Sequence, residues 1–342
     1  MNNSFQTSFS VVALILACLT IAAVPAHALQ ETEYPIVGFS VSPIHPHYAT
    51  IRENGLVEIT NYETDTVIQT HSVPLPFQDP NDLDVLGFKA SAITYSPDGK
   101  QIAIVIRDIS ALGKIYLLDI ETGQVDLNDE WIGIYRVTDM SWSPGGTQLA
   151  VAMHSGGADQ LILSSVITLN IASGELEHTL ADAGFIDNHA FGVAEWSGSN
   201  LIAYANRSVL VVWDATSSSE VSSVETSEII YDAAWSPDSN RIATYHGDGA
   251  IQIWDADSKA SEPQQVMRVQ SEKLLSHAMI WLSDDLLAIN VWTNIEIWDV
   301  STGVLVELIK TDNFIRGIGM LSTGEMAYAS PQYVFRQTLT LP

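Results

Sequence analysis

Leu210-Val211-Val212-Trp213-Asp214, Ile251-Gln252-Ile253-Trp254-Asp255 and Ile295-Glu296-Ile297-Trp298-Asp299 are three near-copies of one apolar stretch. Their Trp-Asp pairs lie 41 and 44 residues apart. Self-similarity at a fixed period of this length marks a repeat architecture, in which no unit can bury its apolar face alone. Each copy is rich in β-branched and aromatic residues, so each predicts a strand.

A second signal phases the rest of the chain: an apolar strand ending in an aromatic, then a Ser-Pro-Asp-Gly-like turn. It is clearest as Tyr95-Ser96-Pro97-Asp98-Gly99, Trp142-Ser143-Pro144-Gly145-Gly146 and Trp235-Ser236-Pro237-Asp238. Weaker copies carry the turn serine at Ser42, Ser197, Ser283 and Ser322. Pro and Gly set such turns, and Asp favours them by bonding the backbone. The seven serines recur at a mean spacing near 47 residues. After each turn comes a short apolar strand such as Gln101-Ile102-Ala103-Ile104-Val105, then a hairpin and a third strand. Turns such as Glu121-Thr122-Gly123 and Ser301-Thr302-Gly303 then lead to an outer strand. The unit is four strands, seven times over, and no segment shows sustained helical periodicity.

On these residues the chain resembles the WD-repeat family, most specifically between Val193 and Gly303. The resemblance implies an all-β fold: a single seven-bladed β-propeller of four-stranded antiparallel blades over residues 35–342. Only three of the seven blades carry Trp-Asp. The Gly-His pair that opens a typical WD repeat is missing, and His246-Gly247 has the reverse order. The hydrogen-bonded tetrad of that family is therefore expected to be incomplete. Turns such as Ser96-Pro97-Asp98-Gly99 equally resemble exported TolB-like propellers.

Residues 1–28 read separately, as a signal peptide. A polar start leads into the apolar run Phe9–Val24, then Pro25 and the small-residue site Ala26-His27-Ala28. The n-region lacks Lys and Arg, and the run is short for a membrane span, which needs about 20 residues. Ile15-Leu16-Ala17-Cys18 resembles a bacterial lipobox, so association with a membrane is expected only through an uncleaved signal or a lipidated Cys18. Cys18 is the only cysteine. Cleavage after Ala28 leaves a mature chain with no thiol chemistry, secreted or periplasmic in location.

The chain carries 41 acidic and 14 basic side chains, a net charge of −27. Such a surface repels phosphate backbones, so nucleic-acid binding is not expected. No Gly-x-Ser-x-Gly and no phosphate-binding Gly-Lys loop is present. The principal expectation is therefore a non-catalytic platform binding a protein or peptide through one rim, where strand-connecting loops from all blades converge. Candidate contacts are Arg107, Tyr135, Arg136, His154, His189, Arg207, His246, Trp292, Phe314 and Arg316. The arginines are conspicuous because positive charge is scarce, and Trp292 because it sits in a hairpin.

No cofactor is expected. Asp79, Asp82 and Asp84 form an oxygen-rich loop of the kind that suits calcium, but their spacing fails the EF-hand pattern. His45-Pro46-His47 is a weak metal motif. Two other functional classes stay open. One is a propeller enzyme, lactonase-like or a metal-assisted hydrolase, with Asp139, Asp232, His189 and His277 converging at the central channel. The other is an architectural envelope protein.

Overall fold

A Ser-Pro-Asp-Gly turn reverses the chain because its own polar atoms satisfy it. Ser96 donates to Asp98 Oδ1 (2.7 Å) and accepts the Gln101 N–H (2.9 Å), while the Lys100 N–H donates to Asp98 (3.1 Å). Blade 5 repeats the arrangement through Ser236, Asp238 and Arg241. Ser42, Ser96, Ser143, Ser197 and Ser236 are all buried. The serine phase read from the sequence thus marks the keystones of the turns. At the other kind of turn Asp119 accepts both the N–H and the hydroxyl of Thr122 (2.8 Å each). Gly123 then takes φ +71°, which glycine adopts without a steric penalty.

The computed structural model describes residues 34–73, 89–107, 113–127, 136–154, 162–186, 192–257, 262–269 and 279–339. All of its regular elements are strands, arranged as seven antiparallel sheets in chain order. Six sheets have four strands. The seventh has three among the described residues, Gly317–Met320, Glu325–Ala329 and Val334–Thr338.

The innermost strand of each blade packs on the innermost strands of both neighbours, and the ring closes from blade 7 to blade 1. These inner strands are Ile36–Val41, Lys89–Tyr95, Arg136–Trp142, Gly192–Trp196, Ile230–Trp235, Met279–Trp281 and Gly317–Met320. Second strands such as Arg241–His246 are buried almost throughout, because blades cover both faces. Outermost strands such as Ser219–Glu225 alternate and are largely exposed. Core clusters bridge adjacent blades; one joins blades 5 and 6 through Tyr245, Ile253, Trp281, Leu287 and Trp298.

Tryptophans stitch neighbouring inner strands. The Trp142, Trp235 and Trp281 indoles donate to the carbonyls of Thr94, Glu195 and Ala234 in the preceding blades, at 3.0–3.3 Å. The closing seam uses different contacts. Ile36 N–H donates to the Pro331 carbonyl (2.6 Å), and Arg336 of blade 7 reaches Asp65 (3.1 Å) and the Tyr62 carbonyl of blade 1. Gly319 is needed there, since a Cβ at that position would lie 2.6 Å from the Val41 side chain.

Antiparallel alternation sorts the connections onto two faces. Turns between the first and second strands, and between the third and fourth, share one face, here the turn face. Hairpins between the second and third strands, and the connections between blades, share the other, the hairpin face.

Candidate functional site

Arg107, Arg136, His154, Arg207, Trp292, Phe314 and Arg316 belong by topology to the hairpin face. Arg107 ends the second strand of blade 2, opposite Lys89 and Gly113. Arg136 and His154 are direct cross-strand partners in blade 3, a pairing not visible in the sequence. Only the backbone of these three is described. Tyr135 and His189 lie outside the described residues, as do His277 and the candidate calcium ligands Asp79, Asp82 and Asp84.

Trp292 and Arg207 occupy the same special place. Val291 ends one strand and Asn294 starts the next, so Trp292-Thr293 is a two-residue loop; Arg207-Ser208 is its counterpart in blade 4. Their first residues have φ +62° and +56°. Tight hairpins demand positive φ there, and Asn or Gly normally supplies it. A bulky side chain in that conformation is strained by about 1–3 kcal/mol, a cost found most often at functional positions. Trp292 packs edge-on to Phe314, with ring centroids 4.6 Å apart. Phe314 is 47% exposed, and Arg316 beside it is exposed.

His246 does not belong to this surface. It is fully buried, with Nε2 2.8 Å from Thr244 Oγ1, which also accepts the Trp254 indole N–H (2.8 Å). Burial lowers its pKa and holds the imidazole neutral. The expected partner contact is instead a structural link, because residues 244 and 246 share one side of a strand sandwiched between blades. The chain Trp254–Thr244–His246 preserves three linked side chains within a single blade. In blade 6 the Trp298 indole donates instead to buried Glu296 (3.2 Å).

The inner wall of the ring carries a second cluster. Asp139, Glu195 and Asp232 project from the innermost strands of blades 3, 4 and 5. Asp139 Oδ2 accepts the Ala194 N–H of the next blade (3.0 Å), and its Oδ1 accepts the Met140 N–H (2.9 Å). Ser141 accepts the Trp196 N–H (3.0 Å) in the same way. Burial pushes the Asp139 pKa up to about 6 despite those donors. Glu195 is raised well above the ordinary range by burial and then by the charges of Asp139 and Asp232; Asp232 is raised by burial and the Asp139 charge. Of this trio the sequence singled out Asp139 and Asp232. Glu195 was missed because it lies two residues nearer the turn; a carboxylate between Ala194 and Trp196 was the available signal.

Among the described residues no three His, Cys, Asp or Glu side chains meet in a geometry that would hold a metal ion. His45 and His47 stack on one another, with ring centroids 5.6 Å apart.

The family model for the WD domain, G-beta repeat, matches residues 218–255. That segment is the outer strand of blade 4 with the first three strands of blade 5. The WD repeat-containing protein slp1 of Schizosaccharomyces pombe (strain 972 / ATCC 24843) is 33% identical over 85 residues, covering 24% of this chain and 17% of that protein's length. Residues 218–255 thus match a WD repeat, and they lie within a seven-bladed β-propeller. WD-repeat propellers generally bind protein partners. In this propeller the Trp-Asp aspartates serve the turns. Asp214 accepts the Thr216 N–H (2.8 Å), and Asp299 the Thr302 N–H (3.0 Å).

Proposed function

We propose that this propeller is exported and acts as a non-catalytic platform that binds a protein or peptide through its hairpin face. The observation that carries the reading is Trp292, held at positive φ at a hairpin tip and set against the exposed ring of Phe314. Large aromatics at accessible, rigid positions are the commonest anchors of protein interfaces. The N-terminal pattern Phe9–Ala28 supports export, and its removal would leave a propeller free of cysteine.

Affinity capture from an envelope extract with residues 29–342 as bait tests the reading. A partner recovered with the unaltered propeller should be lost with the Trp292→Ala/Arg316→Ala double variant. Equal recovery by both baits removes the hairpin face from consideration. N-terminal sequencing of the mature protein should begin at Leu29.

A further inference from the structure

We infer that the corner of the hairpin face between blades 6 and 7 takes a segment of a partner protein in which a bulky apolar side chain is flanked by carboxylates. The inference rests on the platform reading above and adds the chemistry of what is bound.

Three observations converge on this corner. The first is its rigidity. Thr311 donates to the Thr293 carbonyl through both its N–H (2.8 Å) and its hydroxyl (2.7 Å). Further along the connection, the Asn290 amide donates to the Ile315 carbonyl (3.2 Å) and the Arg316 N–H to Ala329 (2.7 Å). Ile315 itself is buried. The segment from residue 311 to 316 is thereby pinned at both ends, and a preorganised surface loses little entropy on binding. The second is the aromatic pair Trp292–Phe314, which offers an apolar platform at the rim.

The third is charge. Arg52, Lys100, Arg241, Arg268 and Arg336 each have a carboxylate within 4.0 Å. Lys310 and Arg316 are exposed and have no ion-pair partner among the described residues. Lys310 stands opposite Asn294, beside the Trp292 hairpin, and Arg316 is two residues beyond Phe314. In a chain with 41 acidic and 14 basic side chains, two cations with no ion-pair partner among the described residues, set around one aromatic pair, form a local exception to the field. Exposed Asp312 lies between them in the chain and is the one carboxylate of that connection. The overall negative charge does not exclude a short acidic segment, because exposed charges beyond about 8–10 Å are screened at physiological salt.

Fluorescence anisotropy with two labelled peptides tests the proposal: one carries phenylalanine flanked by glutamates, the other has lysines in place of those glutamates. The glutamate peptide should bind the intact propeller. Its affinity should fall about tenfold in the Lys310→Glu/Arg316→Glu variant and weaken with added salt. It should also fall in Trp292→Ala, while thermal melting stays unchanged in both variants. Tighter binding of the lysine peptide, equal binding of both, or binding of neither overturns the assigned chemistry. If capture of a natural partner is still lost in Trp292→Ala, the platform reading survives that outcome; if capture is also insensitive to Trp292, both fail.

Discussion

Aspartates on the turn face and carboxylates on the inner wall are the same chemical groups with pKa values shifted in opposite directions. On the turn face Asp98, Asp119, Asp214, Asp238 and Asp299 accept hydrogen bonds from turn N–H and hydroxyl groups, and their pKa values are lowered. On the inner wall Asp139, Glu195 and Asp232 are raised, by burial first and by one another second. Asp139 accepts two backbone N–H groups, much as a turn aspartate does, yet its shift has the other sign. Hydrogen bonding alone therefore does not decide the charge of a carboxylate in this ring. Distance from water and from like charges does.

The difference has a direct consequence for stability. A carboxylate raised in the folded state binds its proton more tightly there than in the unfolded chain. Its contribution is present below the unfolded pKa near 3.9 and is lost as pH rises through the folded value of about 6. The turn aspartates work in reverse: their stabilisation is present above the unfolded value and is lost as pH falls through their lowered pKa values. Together the two sets place maximum stability near pH 4, where the turn aspartates have ionised and the inner-wall carboxylates keep their protons, a maximum that denaturation melts across pH will locate.

The largest effect should come from breaking the inner-wall side of this pair. Asp139→Asn keeps an oxygen for the Ala194 N–H but removes the charge. It should raise stability at pH 8 by on the order of 1–2 kcal/mol and flatten the decline between about pH 4 and 6. Loss of stability at pH 8 would mean that the carboxylate is neutralised there by something other than its own proton.

A middle-sized effect tests the turn side. Asp238→Ala removes the acceptor of the Asn240 N–H, leaves the Ser236 hydroxyl only the Arg241 carbonyl, and should cost about 1 kcal/mol at pH 7, measured by urea denaturation. The smallest effect sharpens the contrast. In blade 3 the place of Asp119 is taken by Asn170, which accepts the Ala172 and Ser173 N–H groups at 3.0 and 3.1 Å. Asp119→Asn should therefore change stability by no more than about 0.5 kcal/mol. The same substitution, aspartate to asparagine, should thus be nearly silent at a turn and stabilising on the inner wall.

How much of this was legible beforehand depends on the range of the interaction. The turn serines and the Asp-Thr-Gly turns close within six residues, so their chemistry is written in consecutive positions. The repeat period followed from them, and with it the number of blades. Trp292 was legible as a hairpin residue, though its positive φ was not, because a tryptophan is an improbable occupant of that conformation. His246 misled for a related reason. Next to Gly247 it looks like a loop residue, yet it is the last residue of a strand, and its ring turns inward to Thr244.

The sequence by itself determined the fold class, the repeat and its phase, because each blade is a local unit whose turns and strands are specified by neighbours along the chain. Tertiary structure alone decided that Asp139 would meet the Ala194 N–H, 55 residues away. It also decided that Arg136 would pair with His154, and that Phe314 would cover one edge of Trp292. These contacts join different strands or blades, and the charge or exposure of a side chain depends on whichever atoms the ring brings against it.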